Sequence, residues 1–339
     1  MAGSHKRAVT SYDVAKAAGV SQSAVSRAFT EGAKISPTTK EKVRKVAAEL
    51  GYRPSFIAQS LITRRSTLIG IVVPGLVNPF YAAILDELSH KLNVMGYRVL
   101  LFSMYRDDDT TPIMEEILRH RVEALVLVSS SLSSHFAQEC QQMDLPVLLL
   151  NRKVDSQSVS SVTSDNLGGG AAIADFLLDI GHQQLAFIAG RDTSSTSFDR
   201  EMGFRQRLEE RGARPPLRDS GMWSIEEAMN ATRRLMALPT PPDALFCAND
   251  MMAIAALNVA VGEMGMQAGR DISVVGFDDI AMSNWPLINL TTWVQPLAAM
   301  VESAIAVLKT QLENPQAAPV QHVLKGELVV RGSTRPQRC

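Results

Sequence analysis

Apolar residues in the first fifty positions recur at helical spacing in short stretches separated by turn residues. Val14, Ala17 and Ala18 share one face of a stretch that Ser11 can cap, and Gly19 supplies the positive φ that ends it. Ser21 opens a second stretch whose apolar face is Val25, Ala28 and Phe29, so Gln22, Ser23, Ser26 and Arg27 must point away from the packing. A third runs from about Pro37 to Leu50. It has Ser36 as N-cap, Pro37 at the first helical position, Val43, Val46, Ala47 and Leu50 inward, and Gly51 as terminator. The segment from Tyr52 to Leu61 allows a helix of barely two turns, which alone in water is marginal.

From Leu68 the texture changes to short apolar runs alternating with helical periodicity. The runs are Leu68–Val73, Arg98–Phe102, Ala124–Val128, Val147–Leu150, Leu185–Ala189, Ala244–Ala248 and Ser273–Gly276. Helical patterns fall near Tyr81–Met95, Thr111–Arg119, Gly168–Ile180, Arg200–Arg211, Ser224–Ala237, Met251–Met264 and Ala298–Leu312. Strands and helices alternating in this way predict doubly wound parallel sheets with helices on both faces. The number of units exceeds one compact sheet. The expected fold class is therefore α/β, with an N-terminal all-α domain followed by a core of two subdomains.

Composition fits a globular protein: 339 residues, 46% hydrophobic and 20% charged, are enough for two or three domains. No apolar run is long enough to span a bilayer, and the first residues lack the apolar core of a signal peptide. Cys140, Cys247 and Cys339 are few and unpatterned, as for reduced cytoplasmic thiols, and predict no metal framework or cofactor. Charge changes the picture more. The chain carries a net −1, yet residues 1–66 hold an excess of eight positive charges and the remainder an excess of nine negative ones. Lys40, Lys42, Arg44 and Lys45 on their own read as the solvated face of a helix. Coinciding with two short helices that meet at a glycine, they read as the basic footprint of a helix-turn-helix on DNA phosphates.

The ends of the predicted strands are rich in hydrogen-bonding groups, and in open α/β sheets ligands sit there. Asn78-Pro79-Phe80-Tyr81 follows the first strand and Asn151-Arg152 a later one. Ser164-Asp165-Asn166 opens a helix, while Asn249-Asp250 and Asp278-Asp279 end two further strands. Phe80 and Trp223 offer flat faces beside carboxylates, amides and arginine, the combination a polyhydroxylated ligand needs. Singly, Asp165 and Asp250 also read as helix N-caps, Trp223 as core and Asp278-Asp279 as turn residues. Their shared location makes them a candidate site.

Over essentially its whole length the chain resembles the lactose-repressor (LacI/GalR) family of bacterial transcription regulators. The resemblance rests on Thr10-Ser11-Tyr12-Asp13-Val14-Ala15 through Val25-Ser26-Arg27, on Tyr52-Arg53-Pro54 with Ala58-Gln59-Ser60-Leu61, and on Asp271 to Asp279 followed by Leu290-Thr291-Thr292 and Gln295-Pro296. Gly181-His182 also matches. The resemblance implies a helix-turn-helix domain over residues 8–54, a hinge helix and linker over 55–66, and an effector-binding and dimerisation core over 67–339. In that core an N-subdomain covers about 67–164 and 293–323 and a C-subdomain about 165–292 and 324–339. It further implies that Gln22, Ser23 and Arg27 read bases, with Ser26 on phosphate. Ala58 and Leu61 would lie in the minor groove, Leu61 as a wedge between base pairs. Phe80, Arg200, Trp223, Asn249 and Asp278, with Asp165, would hold the effector.

The expectation is a dimeric, cytoplasmic repressor on a palindromic DNA operator, controlled by a small effector such as a sugar, sugar acid or sugar phosphate. The C-terminal residues lack the leucine heptads of a tetramerising tail. A transport-type solute-binding protein is the competing reading, since the core alone would serve one. A dinucleotide enzyme is prompted by Gly168-Gly169-Gly170, which lacks the G-x-G-x-x-G spacing. No nucleophile, metal cluster or base-orienting set accompanies the aspartates, so an enzyme is not expected.

Overall fold

The computed structural model describes residues 9–30, 32–53, 66–104, 116–130, 133–154 and 158–336. The hinge positions Ala58 and Leu61 lie outside the described residues, as does most of the Thr111–Arg119 stretch. The chain divides after Thr67 into an N-terminal helical unit and an α/β unit.

The helical unit contains α1 (Ser11–Ala18), α2 (Gln22–Phe29) and α3 (Pro37–Glu49). Each begins at a hydroxyl cap: Thr10, Ser21 and Ser36 accept from the amides of Asp13, Ala24 and Thr39. At α1 the cap is Thr10 rather than the expected Ser11. The carboxylate of Asp13 reaches back to the Thr10 amide at 2.8 Å, completing a capping box that Ser11 has no acid partner to form. The core is Val14, Ala15, Ala18, Val25, Ala28, Val43 and Ala47. Ala15 therefore replaces the expected Ala17, which is exposed, and Leu50 is exposed past the end of α3. Gly19 (φ 62°) and Gly51 (φ 68°) make the left-handed turns at the helix ends.

The α/β unit runs β1 (Leu68–Val73), α4 (Pro79–Val94), β2 (Arg98–Ser103), β3 (Ala124–Val128), α5 (Ser134–Gln142), β4 (Val147–Leu150) and β5 (Ser160–Ser164). There follow α6 (Asn166–Asp179), β6 (Leu185–Ala189), α7 (Ser195–Glu210), β7 (Leu217–Ser220), α8 (Ile225–Met236), β8 (Ala244–Cys247) and α9 (Asp250–Leu257). It closes with β9 (Ser273–Asp278), β10 (Thr291–Val294), α10 (Leu297–Glu313), β11 (Gln321–Leu324) and β12 (Glu327–Val329). These form two six-stranded sheets in the orders β11-β5-β4-β3-β1-β2 and β12-β10-β9-β8-β6-β7. Every pairing is parallel except β10 with β12. The chain passes to the second sheet after β5, returns after β10, and leaves the first again after β11.

Buried strands read as near-continuous apolar runs because helices cover both sheet faces. Phe187, Phe204 and Phe246 meet in the second core with ring centroids 5.0–6.3 Å apart. Helix α9 is followed by a π-helical turn, Asn258–Glu263, where a continuous helix to Met264 is expected from the pattern. The Gly168-Gly169-Gly170 run serves packing. A Cβ on Gly170 would lie 2.2 Å from the Arg200 carbonyl oxygen, one on Gly203 would lie 2.0 Å from that of Leu167, and Gly169 sits against Phe277 and Trp293. Helices α6 and α7 thus meet backbone to backbone, which only glycine permits.

Candidate functional site

Helix α2 presents Gln22, Ser23 and Arg27 to solvent, with Ser26 half-buried, because Ala24, Val25 and Ala28 are consumed by the core. The exposed side chains hold one another loosely. Arg27 Nε donates to the Ser23 carbonyl at 3.3 Å, Gln22 Nε2 to Ser11 Oγ at 3.4 Å, and the Ser21 and Ser23 hydroxyls lie 2.9 Å apart. The helix terminus and polar face are free to meet another surface. Short polar residues at the start of a second helix, with an arginine one turn further along the same face, are the chemistry of major-groove reading.

In the α/β unit a cleft of about 380 Å³ opens at the carboxyl ends of the strands, between the sheets. From the first sheet's side come Asn78 and Tyr81 at the start of α4, Ser129 after β3 and Arg152 after β4. The second supplies Arg191, Ser194, Thr196, Trp223, Glu226 and Asn249. Backbone strain gathers here: Ser129, Asn151, Met222, Trp223, Asp278 and Asp279 all take positive φ. Non-glycine residues in that region cost about 1–3 kcal/mol each and cluster where geometry serves function. The Trp223 indole packs directly against Gly190, since a Cβ on that glycine would fall 2.2 Å from the ring.

Behind the cleft runs a buried charged network. Arg200 donates from Nε to Asn166 Oδ1 at 2.8 Å and from Nη1 to the Ala248 carbonyl. Its guanidinium lies 3.7 Å over the Phe277 ring and 3.7 Å from Asp278. Asp278 accepts from Gln295 at 2.6 Å and from Asn78 at 3.4 Å, the latter across the cleft. Burial pushes the Asp278 carboxyl up to about 7 against the pull of Arg200, with the charge of Asp250 adding to the rise. Asp250 is also raised by burial, opposed by hydrogen bonds from Thr292 and Ser283 hydroxyls and the Ile280 amide. Further ties cross the cleft. Lys153 pairs with Asp199 at 2.6 Å, its amide donates to Ser195 Oγ at 3.3 Å, and Arg152 Nη1 donates to the Thr193 carbonyl at 3.5 Å.

Of the residues expected to hold a ligand, Trp223 and Asn249 line the cleft. Arg200 and Asp278 lie buried behind it. Phe80 packs with Ile84 and Leu88 into the first core, and its neighbour Tyr81 takes the lining position instead. Asp165 caps α6 by accepting from the Gly168 amide at 2.8 Å. At the next strand end the cap of α9 is Asn249 rather than Asp250. Arg191, Ser194 and Thr196 also line the cleft. Arg191 lies in the loop after β6, Ser194 caps α7 and Thr196 is in its first turn, and the only sequence signal of this serine- and threonine-rich stretch is its place after β6.

Gly181-His182 leads into a Ser–His–Asp chain. His182 Nε2 lies 2.7 Å from Ser273 Oγ, and Nδ1 lies 3.2 Å from Asp243. Ser273 is wholly buried and its oxygen accepts from the Arg335 amide at 3.0 Å, so no substrate can reach it. The chain ties the C-terminal segment to the sheet. Among the described residues no group of His, Cys, Asp and Glu could hold a metal ion, and no helix is long and apolar enough to cross a membrane.

Comparison with known proteins adds names to this geometry. Residues 10–55 match the pattern of bacterial regulatory proteins of the lacI family, and residues 174–334 match the periplasmic binding protein-like domain. The HTH-type transcriptional regulator DegA of Bacillus subtilis (strain 168) is 30% identical over 335 residues, covering 96% of this chain and 98% of DegA. The lac repressor dimer bound to operator and the anti-inducer ONPF superimposes with a TM-score of 0.86 at 28% identity, over 97% of this chain and 100% of that one. The transcriptional regulator CelR in complex with cellobiose gives a TM-score of 0.73 at 28% identity, over 96% of this chain and 99% of that one.

Proposed function

The chain belongs to the LacI family of bacterial regulatory proteins, and on that premise we propose that a small polar effector, a sugar or sugar derivative, binds its cleft and sets its hold on DNA. The protein is a ligand-responsive, DNA-binding transcriptional repressor that engages its operator as a dimer. Two-fold protein symmetry calls for a roughly palindromic operator. Gln22, Ser23 and Arg27 read bases in the major groove, with Ser26 on phosphate, and Ala58 and Leu61 lie in the minor groove with Leu61 as wedge. Trp223 stacks on the effector and Asn249 donates to it. Arg200, Asp278, Phe80 and Asp165 act from behind the cleft wall, by fixing the ends of β8, β9, α4 and α6. The domain limits follow as 8–54 for the reader, 55–66 for the hinge and 67–339 for the core.

One observation carries this reading. A hydroxyl-capped helix exposing Gln22, Ser23 and Arg27 on one face is joined in one chain to an α/β unit with a polar, aromatic-lined cleft at its strand ends. A transport-type solute-binding protein would use the cleft but has no use for the helix. Relatives that are regulators, not enzymes, argue for binding without turnover. The coupling is differential. An effector that closes the cleft onto Asn78, Arg152 and Trp223 favours one arrangement of the lobes, and operator affinity shifts by the ratio of its affinities for the two.

The test is operator selection from random duplexes, followed by titration of the selected duplex with and without sugars. A palindromic site whose binding is altered by one sugar supports the proposal. Arg27→Met should then lose about 1–3 kcal/mol of base discrimination at one position while sugar binding is unchanged. Selection of no sequence, or loss spread evenly over all duplexes, would remove Arg27 as a base reader.

A further inference from the structure

Helix α7 is gripped from across the cleft by the short segment that follows β4. Ser195 and Asp199 lie four residues apart on α7 and so share one of its faces. Lys153 addresses both. Its backbone amide donates to Ser195 Oγ at 3.3 Å, and its ammonium meets Asp199 Oδ2 at 2.6 Å. β4 belongs to the first sheet, whereas α7 follows β6 of the second. The pair is therefore a contact between the two lobes rather than within one.

Burial makes the contact unequal. The Asp199 side chain is 11% exposed and that of Lys153 39%, so the carboxylate is the group drawn out of water. Among the described residues, Lys153 is the cation within ion-pair distance of Asp199. Arg200, next in sequence, is turned by about 100° around the helix. It commits its guanidinium to Asn166, the Ala248 carbonyl and Asp278. A nearly buried carboxylate held by a cation of the opposite lobe has two states. With the lobes together it is neutralised by a short charge-assisted bond, and with them apart it must be hydrated instead. The bond is made from the chain's own groups, so it acts whether or not a ligand is bound.

We propose that Lys153 and Asp199 form an ionic clasp between the lobes, a contact through which the chain itself sets how readily its cleft opens. Any effector that moves the lobes works with or against this pair, so the clasp enters the two-state equilibrium that the ligand biases. That consequence rests on the cleft being the effector site; the clasp itself does not.

Hydrogen exchange of the full chain without added sugar tests it, because the Lys153 amide, bonded to Ser195 across the cleft, reports lobe separation directly. Lys153→Met and Asp199→Asn should each speed exchange over residues 151–154 roughly five- to tenfold. Exchange in the buried strand β6 and the far-ultraviolet spectrum should stay as in the native protein. The double variant should be no faster than either single one, since both remove the same interaction. Lys153→Arg, which keeps the charge, should keep exchange slow. Native exchange rates in either single variant, accelerations that multiply in the double variant, or fast exchange in Lys153→Arg would overturn the proposal. Titrating the same variants with the selected operator separates the clasp from the effector reading. Faster exchange with the expected non-additivity but native operator affinity supports the clasp and defeats the idea that lobe arrangement sets the hold on DNA.

Discussion

Replacing Gly203 by alanine puts a methyl group 2.0 Å from the Leu167 carbonyl oxygen, 2.8 Å from its carbon and 3.0 Å from its Cα. All of these are backbone atoms of α6, so no rotamer change relieves the clash. Ordinary contact begins near 3.4 Å, and α6 and α7 must part by more than an ångström. Alanine returns about 1 kcal/mol of helix propensity relative to glycine. Overpacking costs about 1–3 kcal/mol where flexible side chains can yield, and here they cannot. Parting the helices also unseats Gly170 from the Arg200 carbonyl and loosens the 2.8 Å bond from Arg200 to Asn166. A net loss of roughly 2–3 kcal/mol is expected, equivalent to a fall in Tm of about 4–10 °C for a unit of this size. Thermal melts of the full chain followed by circular dichroism measure it. Gly262→Ala is the control, because its Cβ would meet nothing within 4 Å, and it should be neutral or slightly stabilising. Gly203→Ala as stable as the native protein would refute the claim that these helices are held at glycine distance.

The other perturbations act on the cap, the aromatic face and the buried acid. Thr10→Ala removes the capping box of α1 and should cost about 1 kcal/mol; amide exchange over residues 11–18 should quicken, and unchanged exchange would deny the cap its role. Gly190→Ala drives a Cβ to 2.2 Å from the Trp223 indole, so tryptophan emission should shift and effector affinity fall while operator affinity holds; an unmoved emission spectrum would show that Trp223 does not rest there. Asp278 keeps its proton to about pH 7 when folded against an ordinary value of 3.8. The stability it contributes is therefore complete below pH 3.8 and is lost as pH rises toward 7, at up to about 1.4 kcal/mol per pH unit for one proton. Asp278→Asn should flatten urea midpoints between about pH 5 and 7, and an unchanged slope would place the titration elsewhere.

Legibility from the chain followed how local the determining forces are. Helix α2 and its outward face could be read because a hydroxyl cap, a 3.6-residue period and a terminating glycine all act within one turn. The buried strands β1, β3, β4 and β6 could be read to the residue, since burial on both faces leaves an unbroken apolar run. β5 could not. Its sequence Ser-Ser-Val-Thr-Ser is polar yet wholly buried, because its hydroxyls are satisfied by distant partners: Ser160 by Gln311 at 3.0 Å and Ser161 by Gln321. Such pairings join residues some 150 positions apart, and no periodicity announces them. The edge strands β11 and β12 are short and largely exposed, without a buried apolar run to announce them, and exist because β5 and β10 offer free edges.

The site divides along the same line. That ligand-binding groups gather at strand ends is a topological rule, so Asn78, Asn151-Arg152, Trp223 and Asn249 could be marked from position alone. Which member of each pair faces inward depends on rotation about an axis that the sequence leaves undetermined by one residue. A single step on a helix turns the side chain by about 100°, and that step separates Phe80 in the core from Tyr81 in the cleft. The same step separates Asn249, which caps α9, from Asp250, which is sealed beneath it. The orientation of the two cleft asparagines, Asn78 and Asn249, lies further still from the sequence. It arises because two asparagine oxygens are already occupied by backbone amides, a fact about what each polar atom has left to give once the helices have formed.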